Sequence, residues 1–174
     1  MNKTGSMMDV IIWIIVAFMT LLVFGGLYYM YSAVHDGLND VGEIGEVNVT
    51  EITGTIFSPA YDGMINMLNI LAFFIIVGGA FSILVHNFLV RMHPAWLIVY
   101  ILMTILSIIL SAYISNEYMS LLTNDALGSA LSQFTMGNFI MQWLPYWSAV
   151  IGIVGAIFLF IGTLRDREFS EGLS

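Results

Sequence analysis

The chain contains no cysteine. Disulfides, thiolate metal sites and cysteine nucleophiles are therefore excluded, and nothing reports a redox compartment. Charge is almost as scarce, at 9% of residues against about 25% in an average soluble domain. Only four residues are Lys or Arg and the net charge is −8, so the chain lacks the clustered cations that nucleic-acid backbones require. No phosphate-binding glycine loop, HExxH zinc pair or GxSxG nucleophile turn occurs. His35, His86 and His93 are not spaced to serve a nucleophile in one pocket. The reading is of a chain with no catalytic residues, no cofactor and no metal.

What fills the chain is apolar: 59% of residues are hydrophobic and the mean hydropathy is +0.92. Its 174 residues have room for three or four spans of about twenty residues each and for short loops, but for no separate globular unit. The expected fold is an all-α integral membrane protein, one domain over 1–174, with four transmembrane helices. Its spans are placed at about 10–34, 66–90, 95–116 and 146–164. Polar loops at 35–63 and 117–145 separate them, the first acidic and the second carrying a short amphipathic interfacial helix before the fourth span.

The third span is the most sharply bounded. Ala95–Ile114 is without charge, Pro94 ends whatever precedes it, and Asn116 and Glu117 return the chain to water. Thr104, Ser107, Ser111 and Ser115 follow one another at helical spacing and share a face that admits close approach by a neighbouring helix. Alternatively the hydroxyls bond back to their own helix carbonyls. In the fourth span Ser148, Gly152 and Ala156 repeat every four residues, a second small-residue seam with Gly155 beside it. In the second span Asn69, Ala72, Gly79, Ser82 and His86 are read as the side that faces protein. The first span carries Gly25 and Gly26 and continues past Tyr28, Tyr29 and Tyr31, beyond the length of a secretory signal core, so it is expected to be retained.

Interfacial anchors are expected at Trp96, Trp143, Tyr146 and Trp147, and at Arg91, Arg165 and Arg167. His86 is also read as an anchor, since no carboxylate faces it from another span. His35, Asp36 and Asp40 match no established metal-ligand spacing. Val47–Phe57 is dense in β-branched residues and is open to an extended strand or a small hairpin, or to an ordered loop. Within it Asn48-Val49-Thr50 fits a glycosylation acceptor. Leu127, Ala130, Leu131 and Phe134 form a one-sided stripe with Asn124 or Asp125 as its cap.

With four spans, Lys3, Arg91, Arg165 and Arg167 fall on one side, which the positive-inside rule makes cytoplasmic at insertion, with both termini. Eight of the twelve acids, six in Asp36–Asp62 together with Glu117 and Asp125, fall opposite with no base among them. That face repels anionic surfaces and attracts a basic partner. The spans themselves hold no Asp, Glu, Lys or Arg, which argues against proton-driven transporters, voltage sensors and ion pumps.

Three patches carry a resemblance: HPAWLIVY entering the third span, ISNEY leaving it, and FTMGNFIMQWLPYW leading into the fourth. In order and spacing they resemble the small multi-span proteins of icosahedral viruses with an internal membrane, the corticovirus-like and tectivirus-like phages. The likeness covers His93–Trp147, under a third of the chain. It implies a structural virion membrane protein in contact with the bilayer and with capsid or other membrane proteins, a possible oligomer, and no catalytic residues. An accessory or assembly subunit of a host membrane complex is the alternative, and a holin a weaker one, since the tail is nearly neutral and the loops are long and acidic. The topology predicts that cysteines introduced at Thr50 and Ser129 react with an impermeant maleimide from one side of the membrane and a cysteine at Ser170 from the other. Labelling of all three from one side would require a different number of spans.

Overall fold

The computed structural model describes residues 5–44, 47–89, 95–124 and 127–171, with residues 163–171 described through their backbone alone. Four long helices dominate: α1 (Gly5–Asp40), α3 (Ser58–Leu89), α4 (Ala95–Leu122) and α7 (Leu144–Glu171). Between α1 and α3 lie two paired dipeptides, β1 (Glu43–Ile44) and β2 (Val47–Asn48), and the single turn α2 (Val49–Ile52). Between α4 and α7 lie α5 (Gly128–Leu131) and α6 (Thr135–Gln142). The spans long and apolar enough to cross a bilayer are Met8–Asp40, Val49–Leu89, Trp96–Leu122 and Leu144–Gly162.

The helices outrun the apolar segments read from the sequence. Most of 35–63 is helical because α1 and α3 keep packing beyond their most hydrophobic stretches. Tyr61 stacks on Tyr31 and on His35, with ring centroids 5.5 and 5.0 Å apart, and its hydroxyl donates to that of Tyr28. His35 also pairs through Nε2 with the Ser58 hydroxyl at 3.0 Å. Gly42, with φ +70°, makes the turn that lets the chain reverse. The strand reading of Val47–Phe57 holds only for Val47 and Asn48, which pair antiparallel with Ile44 and Glu43. From Val49 the chain is helical, passing through a short stretch of wider i→i+5 turns at Thr53–Phe57 into α3. The Asn48 side chain caps this start by accepting from Glu51 N at 2.9 Å. The Thr53 and Thr55 hydroxyls then donate to the carbonyls four residues back, each at 2.8 Å. Local capping overrides β-propensity, which measures fit to a sheet that is not there.

α1 is the central helix. Ile14, Ala17 and Leu21 are fully buried, and Trp13 is buried with its indole N–H donating to the Ile76 carbonyl at 2.7 Å. Gly79 lies directly under that indole, where any β-carbon would collide with it. The inward stripe of α3 runs through Ala72, Ile76, Ile83 and Asn87, while Ser82 and His86 are exposed. Of the face read from the sequence, Ala72 and Gly79 do turn inward, whereas Ser82 and His86 each sit one residue, or about 100° of helix, away from the stripe.

Of the interfacial helix read from Leu127 to Phe134, only Gly128–Leu131 is helical; a second helix not read from that stripe, α6, follows it, and both pack into the bundle instead of lying on its surface. Ala130, Leu131 and Phe134 belong to the same buried cluster as α1. Leu131 fills the space over Gly25, and Leu21 fills that over Gly137. Asp125, the alternative cap, lies outside the described residues; the Asn124 carbonyl accepts from Gly128 N at 2.8 Å.

The helices are staggered. Phe18 meets Tyr118 edge to face at 6.4 Å, only four residues before α4 ends. α1 continues from Phe18 to Asp40 and so outruns α4 by about 27 Å, at 1.5 Å per residue. Paired with α3, it forms a helical hairpin beyond α5.

These contacts predict a contrast between adjacent glycines. Gly25→Leu and Gly137→Leu should each destabilise the bundle by roughly 1–3 kcal/mol through overpacking. Gly26→Leu, where a β-carbon meets open space, should be nearly neutral. Unfolding of the purified protein in mixed micelles measures the difference.

Candidate functional site: a polar seam between α4 and the α6–α7 helix

The hydroxyl face of α4 and the small face of α7 meet each other, in one of the two most extensive interfaces in the bundle. Ser107, Ser111 and Ser148 are fully buried and Ser115 nearly so. Gly152 lies against the Thr104 methyl, with no space for a β-carbon, and Gly155 likewise lies against Tyr100 and Asn87. Ala156 is partly buried beside them. Small residues let the two backbones approach closely where lipid supplies no hydrophobic drive.

Both readings of the hydroxyls are realised at once. Thr104 donates to Tyr100 O, Ser107 to Thr104 O and Ser111 to Ile108 O, at 2.8–2.9 Å. Ser148 donates to Leu144 O at 2.9 Å. Back-bonding satisfies each hydroxyl within its own helix, so that it presents only a small, non-demanding surface to the neighbour.

Ser115 differs. It donates across the interface to the Met141 carbonyl at 2.8 Å. In a continuous helix that carbonyl would accept from the amide four residues later, which is Pro145 and has no N–H. The proline thus breaks α6 from α7 at Trp143 and frees a carbonyl, and the last hydroxyl of the α4 face fills the vacancy, as membrane helices require. One turn further on, the Tyr118 hydroxyl donates to Asn138 Oδ1, and Asn138 Nδ2 donates to Leu131 O at 3.0 Å. From Thr104 to Ser115 is eleven residues, as is Gly152 to Met141, and Ser115 to Tyr118 matches Met141 to Asn138. α6 therefore continues the antiparallel pairing of α7 with α4 across the break.

The remaining site residues divide by position. Trp96, Trp143, Tyr146 and Trp147 are exposed, with Trp143 and Tyr146 in ring contact at 5.1 Å. Arg91 lies outside the described residues, and Arg165 and Arg167 lie in the part of α7 described by backbone alone. His86 does have a carboxylate near it, contrary to the sequence reading: Asp9, in the second turn of α1, is within electrostatic reach. His35 is engaged with Ser58 and Tyr61, and no group of three or more metal-ligating side chains exists among the described residues. Sequence reasoning missed Asn87, Trp13 and Asn138. Asn87 is fully buried and donates to the Tyr100 hydroxyl at 3.0 Å, with its Oδ1 unpartnered among the described residues. A polar side chain inside an apolar run was the available signal.

Beside the seam, α3, α6 and α7 enclose a groove of about 740 Å³. Trp13, Phe73, Ala80, Leu84, Ile140 and Ile151 are among its lining, and Thr135 supplies its only hydroxyl among the described residues.

Compared with protein-family models, with curated proteins and with solved structures, the chain matches none. Its helices define the class: a four-span, all-α integral membrane protein.

A double-mutant cycle tests the Ser115 assignment. Ser115→Ala should cost about 1–3 kcal/mol by leaving the Met141 carbonyl unpaired. In a Pro145→Ala background, where an amide is restored, the same change should cost markedly less. Equal costs in both backgrounds would remove the link between the serine and the proline.

Proposed function

We propose that this chain is a structural membrane protein of a virion, packing in the viral internal membrane and contacting capsid or other membrane proteins. The observation that supports this reading is how its polar groups are used. Ser115, the Trp13 indole and Tyr118 bond from one helix to another, while Thr104, Ser107, Ser111 and Ser148 bond back to their own carbonyls and leave a small surface for the neighbour. Such a bundle is built to be rigid and to present surfaces.

The surface presented at the far end is the α1–α3 hairpin. Asp36, Asp40, Glu43, Glu51 and Asp62 are all exposed on it and its connection. A basic partner is the complementary one. Insertion with both termini cytoplasmic sets the arrangement in a particle whose shell forms in the cytoplasm. The termini and the α3–α4 turn lie under the shell and the acidic hairpin faces the interior, its charge screened over about 8 Å at physiological salt.

Mass spectrometry of purified particles should find the chain at a stoichiometry comparable with other structural proteins. Recovery only with a host membrane complex would favour the accessory-subunit reading instead. In shell-stripped particles, protease should remove the 165–174 tail and spare 36–62. The reverse pattern would overturn the orientation.

A further inference from the structure

Ring contacts between α1 and α3 converge on Tyr61. It stacks nearly parallel on Tyr31 and on His35, at interplanar angles of 12° and 14°. His35 is itself fixed, since its Nε2 pairs with the Ser58 hydroxyl at 3.0 Å. Both flanking rings come from α1, so Tyr61 cannot turn without breaking two stacks, and its hydroxyl stays directed at that of Tyr28. Tyr28 meets Tyr61 differently, with the rings tilted by 32° and their centroids 5.4 Å apart. Two phenols joined end to end through their hydroxyls would hold their centroids farther apart than this, so the rings lie side by side at their hydroxyl edges. Each therefore presents to the other an ortho carbon, next to the carbon that bears the oxygen.

The pair stands at the base of the α1–α3 hairpin. Tyr28 is buried in the main core and Tyr61 packs against that core half-buried. Tyr28 lies less than one turn beyond Gly25, over which Leu131 sits, so the rings meet where α1 passes the last of α5. A chain without cysteine has no disulfide with which to brace the hairpin from there on.

We propose that Tyr28 and Tyr61 form an oxidative modification site, at which two equivalents of a small one-electron oxidant of the carbonate-radical class join α1 to α3 through a dityrosine link. The half-buried Tyr61 meets the oxidant first and gives up its hydroxyl hydrogen atom, leaving a phenoxyl radical and bicarbonate. A hydrogen atom moving along the hydroxyl contact passes the radical inward to Tyr28 and restores Tyr61. A second equivalent then oxidises Tyr61 again. The two radicals bond ortho carbon to ortho carbon, and the hydrogens on those carbons move to the oxygens, so that both hydroxyls are regained. The pair loses two hydrogen atoms and two carbonate radicals become two bicarbonates. Rings already held side by side need no search to meet, which is the advantage of preorganised reactants. Tyr31 stacks on the face of Tyr61, directs no ortho edge at it and takes no part in the bond. The assignment is independent of the virion reading.

The test uses the full purified chain in micelles, dilute enough that chains react singly, with carbonate radicals generated by pulse radiolysis of bicarbonate solution. Proteolysis and mass spectrometry should find a linked Tyr28–Tyr61 peptide pair, lighter than its two parts by two hydrogens. It should be several-fold more abundant than any link through Tyr113 or Tyr146, which are far more exposed. Tyr28→Phe and Tyr61→Phe should each abolish that product and Tyr31→Phe should preserve it, all three with unchanged helical circular dichroism. Links distributed by exposure in the unaltered protein would mean that the pair has no reactive geometry of its own. A Tyr31–Tyr61 link in its place would mean that the stacked ring, and not the tilted one, is the coupling partner. Either result overturns the proposal.

Discussion

The bond from Ser115 to the Met141 carbonyl is the constraint around which the second half of the molecule is arranged. Pro145 makes it necessary, because a carbonyl freed at the fully buried Met141 has no water to turn to. Once Ser115 takes that role, α6 must lie along α4 in the same register as α7. Tyr118 and Asn138 then meet, and Asn138 in turn holds the Leu131 carbonyl at the end of α5. One missing amide hydrogen thus determines where two short helices sit.

Those two helices complete the first half. Leu131 over Gly25 and Leu21 against Gly137 are contacts in which a β-carbon on the glycine would require the leucine side chain to shift. They join α5 and α6 to α1, and Trp13 joins α1 to α3 through the Ile76 carbonyl and the face of Gly79. Each large residue is received by a glycine on the neighbouring element. Bundles in lipid depend on such fits because close packing, rather than escape from water, holds their helices together.

The stagger of the helices separates two kinds of surface. At one end α7 runs on from Phe158, which meets Phe88 in the last turn of α3, to Glu171, while at the other the α1–α3 hairpin outruns α4, held by the Tyr28, Tyr31, His35 and Tyr61 rings. The acids of the connection are carried outward on it, away from the seam. Between hairpin and seam, the kink in α6–α7 leaves the apolar groove along α3.

The spans, their number and the two small-residue seams were legible in the sequence, because length, hydropathy and a four-residue spacing are local properties. Thr104, Ser107, Ser111, Ser115, Ser148 and Gly152 could be assigned to faces without knowing what faced them. The tertiary structure alone decided which faces met. Nothing local says that Gly152 receives Thr104, or that Ser115 serves a carbonyl freed by a proline thirty residues later. It also decided where helices end. The 35–63 and 117–145 stretches read as loops because their polarity signals the end of hydrocarbon, and polarity does not stop a helix that still has a partner to pack against. The inward face of α3 was read correctly at Ala72 and Gly79 but misplaced by one residue at Ser82 and His86: these are small or polar, yet the side that turns inward there carries Ile83 and Asn87. Sequence by itself determined which segments are long and apolar enough to cross a membrane, since that depends on transfer from water residue by residue. Their pairing, breaks and stagger depend on the shape of neighbours far away in the chain, and only the assembled bundle supplies it.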